Sequence, residues 1–435
     1  MVRTLEQTTM RKVYLRLLPF TILMYFLCYL DRINVGFAAL TMNKDLGLTA
    51  STFGLAAGAF FWGYCLFEVP SNIVLEKVGA RLWIARIMVT WGILSGATAL
   101  STGPYSFLTA RFLLGVAEAG FFPGIVLFLT YWFPDRHRAR IMAGFTLALP
   151  GAVALGAPIS TALLGLDGIW GLAGWKWMYI AEAVPTVLIG ITVLFYLTDR
   201  PAQARWLNDD ERAWLTATMD TERERIEAHR KIGLLRALWE PKVLLLALNY
   251  LGIVTASLGM LLFLPQIIKQ LGLTNMQVGW ATAVPYLCGC VSMILWGWIS
   301  DRMGERRWNL FGACLLSAGG LVVAGMTVGT YWSLIGMSMA AAGFYGSKGM
   351  FWSMPPMFLT GMAAATGIAW INSIGNLGGF FGPSIVGWVK DETGSFAGGL
   401  YALAGFALMS AVVAALWLHI PRRTVAAPRL GVAAE

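Results

Sequence analysis

Charge is scarce in this chain. Of 435 residues only 23 are acidic and 32 basic, 13% together, about half the share carried by soluble domains. That shortage excludes a water-soluble enzyme and a disordered chain. Histidine occurs three times and cysteine five times. The cysteines (Cys28, Cys65, Cys288, Cys290, Cys314) all lie inside apolar runs. Cys288 and Cys290 point to different faces of a helix, and His137, His229 and His419 are dispersed. Neither a disulfide framework nor a metal site is expected, and no cofactor. What the chain has instead is apolar: 57% hydrophobic residues, 49 glycines, 19 tryptophans and a mean hydropathy of +0.66.

The apolar residues fall in runs at about 14–40, 50–75, 83–101, 104–132, 141–164, 176–198, 243–268, 276–300, 308–329, 331–359, 365–389 and 398–419. Each is long enough to cross a bilayer. The expectation is an all-α integral membrane protein of twelve transmembrane helices. The basic start, Met1 to Arg16, precedes a long run without a small-residue cleavage site, so it reads as an uncleaved first span. Placing that start in the cytoplasm puts Lys77, Arg81, Arg136, Arg138, Arg140, Arg302, Arg306 and Arg307 inside, whereas the opposite joints carry little beyond Lys44, Lys176, Lys269 and Lys390. Positive charge stays inside, so both termini are expected there.

The one sizeable polar stretch, 199–242, has nine bases balanced by nine acids and leaves no basic patch for nucleic acid. Asn208 and Glu211 form a capping-box pattern ahead of Trp214 and Leu215, which predicts a short amphipathic helix on the cytoplasmic face. The stretch divides the chain into a six-helix half at 1–198, the linker, a second six-helix half at 243–420 and a cytoplasmic tail at 421–435.

A motif recurs in the two halves. The joint after the eighth run reads GWISDRMGERR (297–307), and that after the second reads NIVLEKVGAR (72–81). Glu76, Lys77, Gly79 and Arg81 match Asp301, Arg302, Gly304 and Arg306 in kind and spacing. A basic loop made by topology alone does not explain the matched acid and glycine. Glycine permits a tight turn, and the acid can pair with bases or helix ends that separate when the halves move, so a gating role is expected.

Five charges lie inside runs: Asp31, Arg32, Arg111, Glu118 and Lys348. Each costs about 2.5–3.5 kcal/mol or more at a span centre. Arg32 and Arg111 lie at similar depth, and Glu118 is two turns, about 10 Å, beyond Arg111 on the same face. One reading is a set of structural ion pairs between the first and fourth helices. The other is an anion site beside titratable carboxylates. The five groups sum to +1 with both acids ionised and +3 with both protonated, so protons and an anion would bind together, which favours the second. Tyr64, Asn372 and Asn376 lie near the midplane, where asparagines either bond between helices or face a substrate. Lys348 has no acid nearby on its helix and suits a second carboxylate, and Trp352 could touch the substrate. Glu68 and Glu182, near helix ends, are expected to be structural or gating residues.

The paired loops and two-half layout resemble the major facilitator superfamily over nearly the whole chain. The second loop matches fully; the first has Asn72, Glu76 and Lys77 where the pattern has glycine, aspartate and arginine. The resemblance implies two halves rocking about a central site. The stretches YLDRINVGFA (29–38), RFLLGVAEAG (111–120) and WMYIAEAVP (177–185) resemble the anion:cation symporter family. DRP (199–201) with the Trp-Leu pairs that follow, and GSKGMFW (346–352), are similar to its tartrate- and phthalate-type permeases. This implies that Arg32, supported by Arg111, contacts a substrate carboxylate, that Asp31 and Glu118 carry protons, and that Tyr64 and Asn376 complete the lining.

The expected function is therefore import of a small organic carboxylate (a tartrate-like dicarboxylate, a sugar acid or a phthalate-like aromatic acid) by proton symport in a bacterial inner membrane. Anion exchange and sodium coupling are the alternatives. An integral-membrane enzyme would need a catalytic cluster, and no nucleophile motif or ligand run is present. A single chain of two halves needs no partner subunit, so a monomer is expected.

Overall fold

The computed structural model describes residues 4–228, 239–357 and 361–416. Among them every regular element is helical: α1 (Leu5–Asp45), α2 (Ala50–Val78), α3 (Ala80–Ala97), α4 (Pro104–Glu118), α5 (Phe121–Trp132), α6 (Asp135–Leu164), α7 (Gly174–Tyr196) and α8 (Asp209–Ala228), then α9 (Pro241–Lys269), α10 (Asn275–Met303), α11 (Arg307–Met326), α12 (Trp332–Trp352), α13 (Gly361–Asn376), α14 (Gly378–Thr393) and α15 (Ala397–Leu416). The expected tail at 421–435 lies outside the described residues.

Local chemistry sets the helix starts. Thr4 with Gln7, and Thr274 with Gln277, form reciprocal capping boxes at α1 and α10. Asn208 and Glu211 do the same at α8: the Glu211 amide donates to Asn208 Oδ1 at 2.8 Å, and the Asn208 amide to Glu211 Oε2 at 3.1 Å. Leu207 and Leu215 are buried beside this helix, and Trp206 stacks on Trp132 with ring centres 5.4 Å apart.

Among the described residues ten helical stretches are long and apolar enough to cross a membrane. Of the twelve expected spans, the tenth and eleventh fall outside that set. Lys348 and several glycines and serines dilute α12. The eleventh is divided at Leu377 into α13 and α14, each about 24 Å long and short of a full crossing. The fourth span is also divided, at Ala119–Gly120. Gly120 adopts φ +87°, and a Cβ there would lie 2.3 Å from Ser71 Oγ, so both the dihedral and the approach of α2 demand glycine. Large exposed apolar side chains, such as Phe195, Leu155, Leu295 and Trp298, clothe the outside. Water would not tolerate so wide a surface; lipid does.

The helices before α8 pack mainly on one another, as do those after it, and the two sets meet where α2 lies along α14, α6 along α10 and α1 along α9. The α2–α14 contact is backbone to backbone: a Cβ on Gly54 would come within 2.3 Å of the Pro383 carbonyl oxygen. At that end Asp391 accepts hydrogen bonds from the Ala50 and Ser51 amides at 3.1 and 2.7 Å, which caps α2 from across the interface.

Candidate functional site

A cavity lies between the two sets of helices and holds about 650 Å³ of empty space, part of it open to solvent. From the first set Tyr29, Arg32, Phe60, Phe61 and Arg111 line it; from the second, Tyr250, Ser257, Lys348 and Asn376 are the polar or aromatic lining residues, with aliphatic side chains of α9 between them. Three cations thus face one space.

Each cation is held differently. Arg32 on α1 donates through Nε to Glu118 Oε1 at 2.6 Å, with Nη2 2.5 Å from the same oxygen. Glu118 is the last residue of α4, so the break at Gly120 ends the helix where that carboxylate meets α1. Cys28 Sγ also donates to it at 3.2 Å. The Arg32 guanidinium lies 5.1 Å from the Tyr64 ring centre and 5.4 Å from that of Phe60. Arg111 lies 5.1 Å from the same Phe60 ring. It is buried, and its Nε and Nη1 make no hydrogen bond within the protein. The aromatic face stabilises both cations without neutralising either. Lys348 Nζ rests 4.7 Å from the Tyr345 ring centre, and none of the salt bridges among the described residues includes it.

The remaining residues singled out from sequence sit elsewhere. Tyr64 lies behind Arg32, and Trp352 packs on Tyr250 with ring centres 5.0 Å apart, one layer back from the cavity. Asn372 does not line the cavity; its Nδ2 donates to Glu68 Oε1 at 3.2 Å and so joins α13 to α2. Asp31 also lies off the cavity. It accepts from Trp91 Nε1 and Ser95 Oγ at 2.7 Å each, from Thr186 Oγ1 at 3.1 Å and from Asn34 Nδ2 at 3.4 Å. Tyr250 and Ser257 on α9 were invisible to a search for charge, because only their facing the cavity distinguishes them from other polar residues in apolar helices.

The loop motifs divide their work. Arg81 is tied to Asp199 rather than to Glu76: its amide donates to Asp199 Oδ1 at 2.7 Å, and its Nε lies 3.9 Å from Oδ2. Glu76 and Lys77 are exposed, and Gly79 turns the chain at φ +101°. In the second copy Arg306 reaches Asp301 at 3.3 Å inside the loop, Gly304 is left-handed at φ +61°, and Arg302 lies 5.3 Å from the Trp298 ring centre.

The family model described as Major Facilitator Superfamily matches residues 21–383 and 266–433. The chain belongs to the Major Facilitator Superfamily. It is a multi-pass membrane transporter, and the cavity lies where the two sets of helices meet. It is 53% identical over 409 residues to a protein of Agrobacterium vitis named "Putative tartrate transporter", covering 94% of both chains. It is 41% identical over 400 residues to the "Quinolone resistance transporter" of Acinetobacter baumannii, covering 92% of each. Its fold matches the inward-open structure of the xylose transporter XylE from E. coli with a TM-score of 0.74 at 13% identity, covering 94% of this chain and 97% of that one.

Proposed function

We propose that this transporter imports a small organic carboxylate, with tartrate as the lead candidate, by proton symport. The observation that carries the proposal is the convergence of Arg32, Arg111 and Lys348 on one cavity from both sides, with Glu118 on Arg32 alone. An anion entering this space meets two cations without a salt-bridged acid and one whose partner must let go. Protonating Glu118 releases Arg32, so proton and anion binding favour each other. The name of the Agrobacterium vitis relative supports tartrate, and Lys348, opposite the arginines, suits a second carboxylate.

The mechanism is alternating access of two six-helix halves, 1–198 and 243–420, about the cavity. In this reading α4–α5 and α13–α14 are one crossing each and α12 another, which makes twelve. Both termini lie on the cytoplasmic side of a bacterial inner membrane, following the basic loops. Asp31 and Glu118 carry protons; Arg32, Arg111 and Lys348 hold the anion; Tyr64, Trp352 and Asn376 shape the pocket; and Asn372 acts through Glu68. The protein works as a monomer.

The test is uptake in proteoliposomes from a panel of carboxylates, with Glu118→Gln beside the native protein. The proposal expects accumulation driven by a pH gradient in the native protein and its loss in the variant. Counterflow without gradient-driven accumulation in both would establish an exchanger, and accumulation that follows a sodium gradient would move the coupling to sodium.

A further inference from the structure

Behind the cavity lies a second acidic centre that the Arg32–Glu118 pair does not account for. Asn34, buried on α1, donates through Nδ2 to Glu182 Oε2 at 3.0 Å as well as to Asp31 Oδ1. Ser160 on α6 donates to Glu182 Oε1 at 2.7 Å. Asp31 and Glu182 are therefore bridged by a single amide, both buried, and neither takes part in a salt bridge among the described residues. The charged or titratable groups facing the pair are Arg111 and Glu118 on α4, Tyr179 on α7 and Cys28 on α1. Of the two carboxyls Arg111 faces Asp31, while Tyr179 faces Arg111 and both acids, and Arg111 also lines the cavity.

We infer that Glu182 is a second proton-carrying acid of this transporter and that Asn34 is the amide that accommodates it in both protonation states. Hydrogen-bond accounting supports this. In the arrangement seen, the Asn34 amide hydrogens point at two acceptors, as two carboxylates require, while its own Oδ1 is buried without a partner. Turned by half a revolution, the amide presents Oδ1 to the pair and accepts an O–H from a protonated Glu182. The two ends of an amide are near-isosteric, so this turn needs no repacking. Thr186 offers Asp31 similar latitude, because its one hydroxyl hydrogen can go to Asp31 at 3.1 Å or to the Glu182 carbonyl at 3.3 Å.

The step is a plain proton transfer: hydronium gives its proton to Glu182 Oε2, an O–H bond forms, and water leaves. Its consequence runs through Arg111. With the pair doubly ionised, the guanidinium faces net negative charge from behind. With Glu182 protonated, more of its field reaches the cavity, and an anion binds better. Glu118 regulates Arg32 by direct contact; the Asp31–Asn34–Glu182 group regulates Arg111 without one.

This inference rests on the proposed symport, and two independent readouts test it. In proteoliposomes with an entrapped pH-sensitive dye, labelled L-tartrate and proton entry are followed together. Glu182→Gln should lower the proton-to-tartrate ratio by about one, and Glu182→Asp should restore it. An unchanged ratio in Glu182→Gln would overturn the inference. The second readout needs no substrate: the native protein should show the infrared stretch of a buried protonated carboxyl that titrates with pH and disappears in Glu182→Gln. An identical spectrum in the variant would also overturn it. If native protein moves no tartrate, the transport reading fails, and the infrared comparison still decides whether Glu182 binds a proton.

Discussion

Arg32 and Glu118 stand 86 residues apart in the chain and meet at 2.6 Å, with no exposure of the carboxylate side chain. The pair joins α1 to the end of α4 and leaves one carboxylate oxygen without a hydrogen-bond partner. An ion pair in that setting is sensitive to the loss of either member, since the survivor remains charged and poorly solvated.

Glu118→Ala should therefore destabilise the protein by about 3–5 kcal/mol. The unfolding temperature of the detergent-solubilised protein reads this out. Adding Arg32→Gln to the alanine variant should recover part of the loss, because it removes the stranded charge.

Lys348 sets a different expectation, one of ligand discrimination. If it holds the second carboxylate of a dicarboxylate, Lys348→Gln should weaken binding by about 1.5–3 kcal/mol, roughly 10- to 150-fold. A monocarboxylate of similar size should lose much less. Competition against labelled tartrate by succinate and butyrate measures the contrast.

The break in the fourth span predicts a backbone effect. Gly120→Ala forces a Cβ into the left-handed region and against Ser71 Oγ. A cost of about 1–3 kcal/mol is expected from the strained dihedral alone. Ser71→Gly should relieve the clash but not the dihedral cost, so a double variant should recover stability only in part.

Asp391 caps α2 across the interface, and that contact must break if the two sets of helices separate there. Asp391→Ala should remove about 1 kcal/mol from the closed arrangement, which shifts the population between states about fivefold. Fluorescence transfer between labels at the loop ends near Ala50 and Thr393 would report the shift.

Much of this protein was legible in its residues. Long apolar runs and sparse charge demanded membrane helices, because backbone polar groups have no other partners in lipid. The charges in those runs were conspicuous for the same reason, and Arg32, Arg111 and Lys348 do face one cavity. The breaks were hidden. Gly120 is one of 49 glycines, and only its left-handed φ together with the approach of Ser71 distinguishes it. Asn372 and Asn376 share a face of α13, and the sequence favoured Asn376 for the substrate without excluding Asn372; the structure gives Asn372 to Glu68 and Asn376 to the cavity. Asp199 was read as part of the linker, yet it closes the first loop motif through Arg81.

The sequence by itself determined that this is a multi-pass helical membrane protein and which charged residues are costly there, since hydropathy and charge burial depend on composition along the chain. Only the tertiary structure decided who pairs with whom. Asp31 and Glu182 join through Asn34, Glu118 closes on Arg32, and Arg111 keeps its Nε and Nη1 unbonded at the cavity wall. Those pairings depend on how helices distant in sequence are rotated against one another, and that rotation comes from side-chain packing summed over the whole bundle.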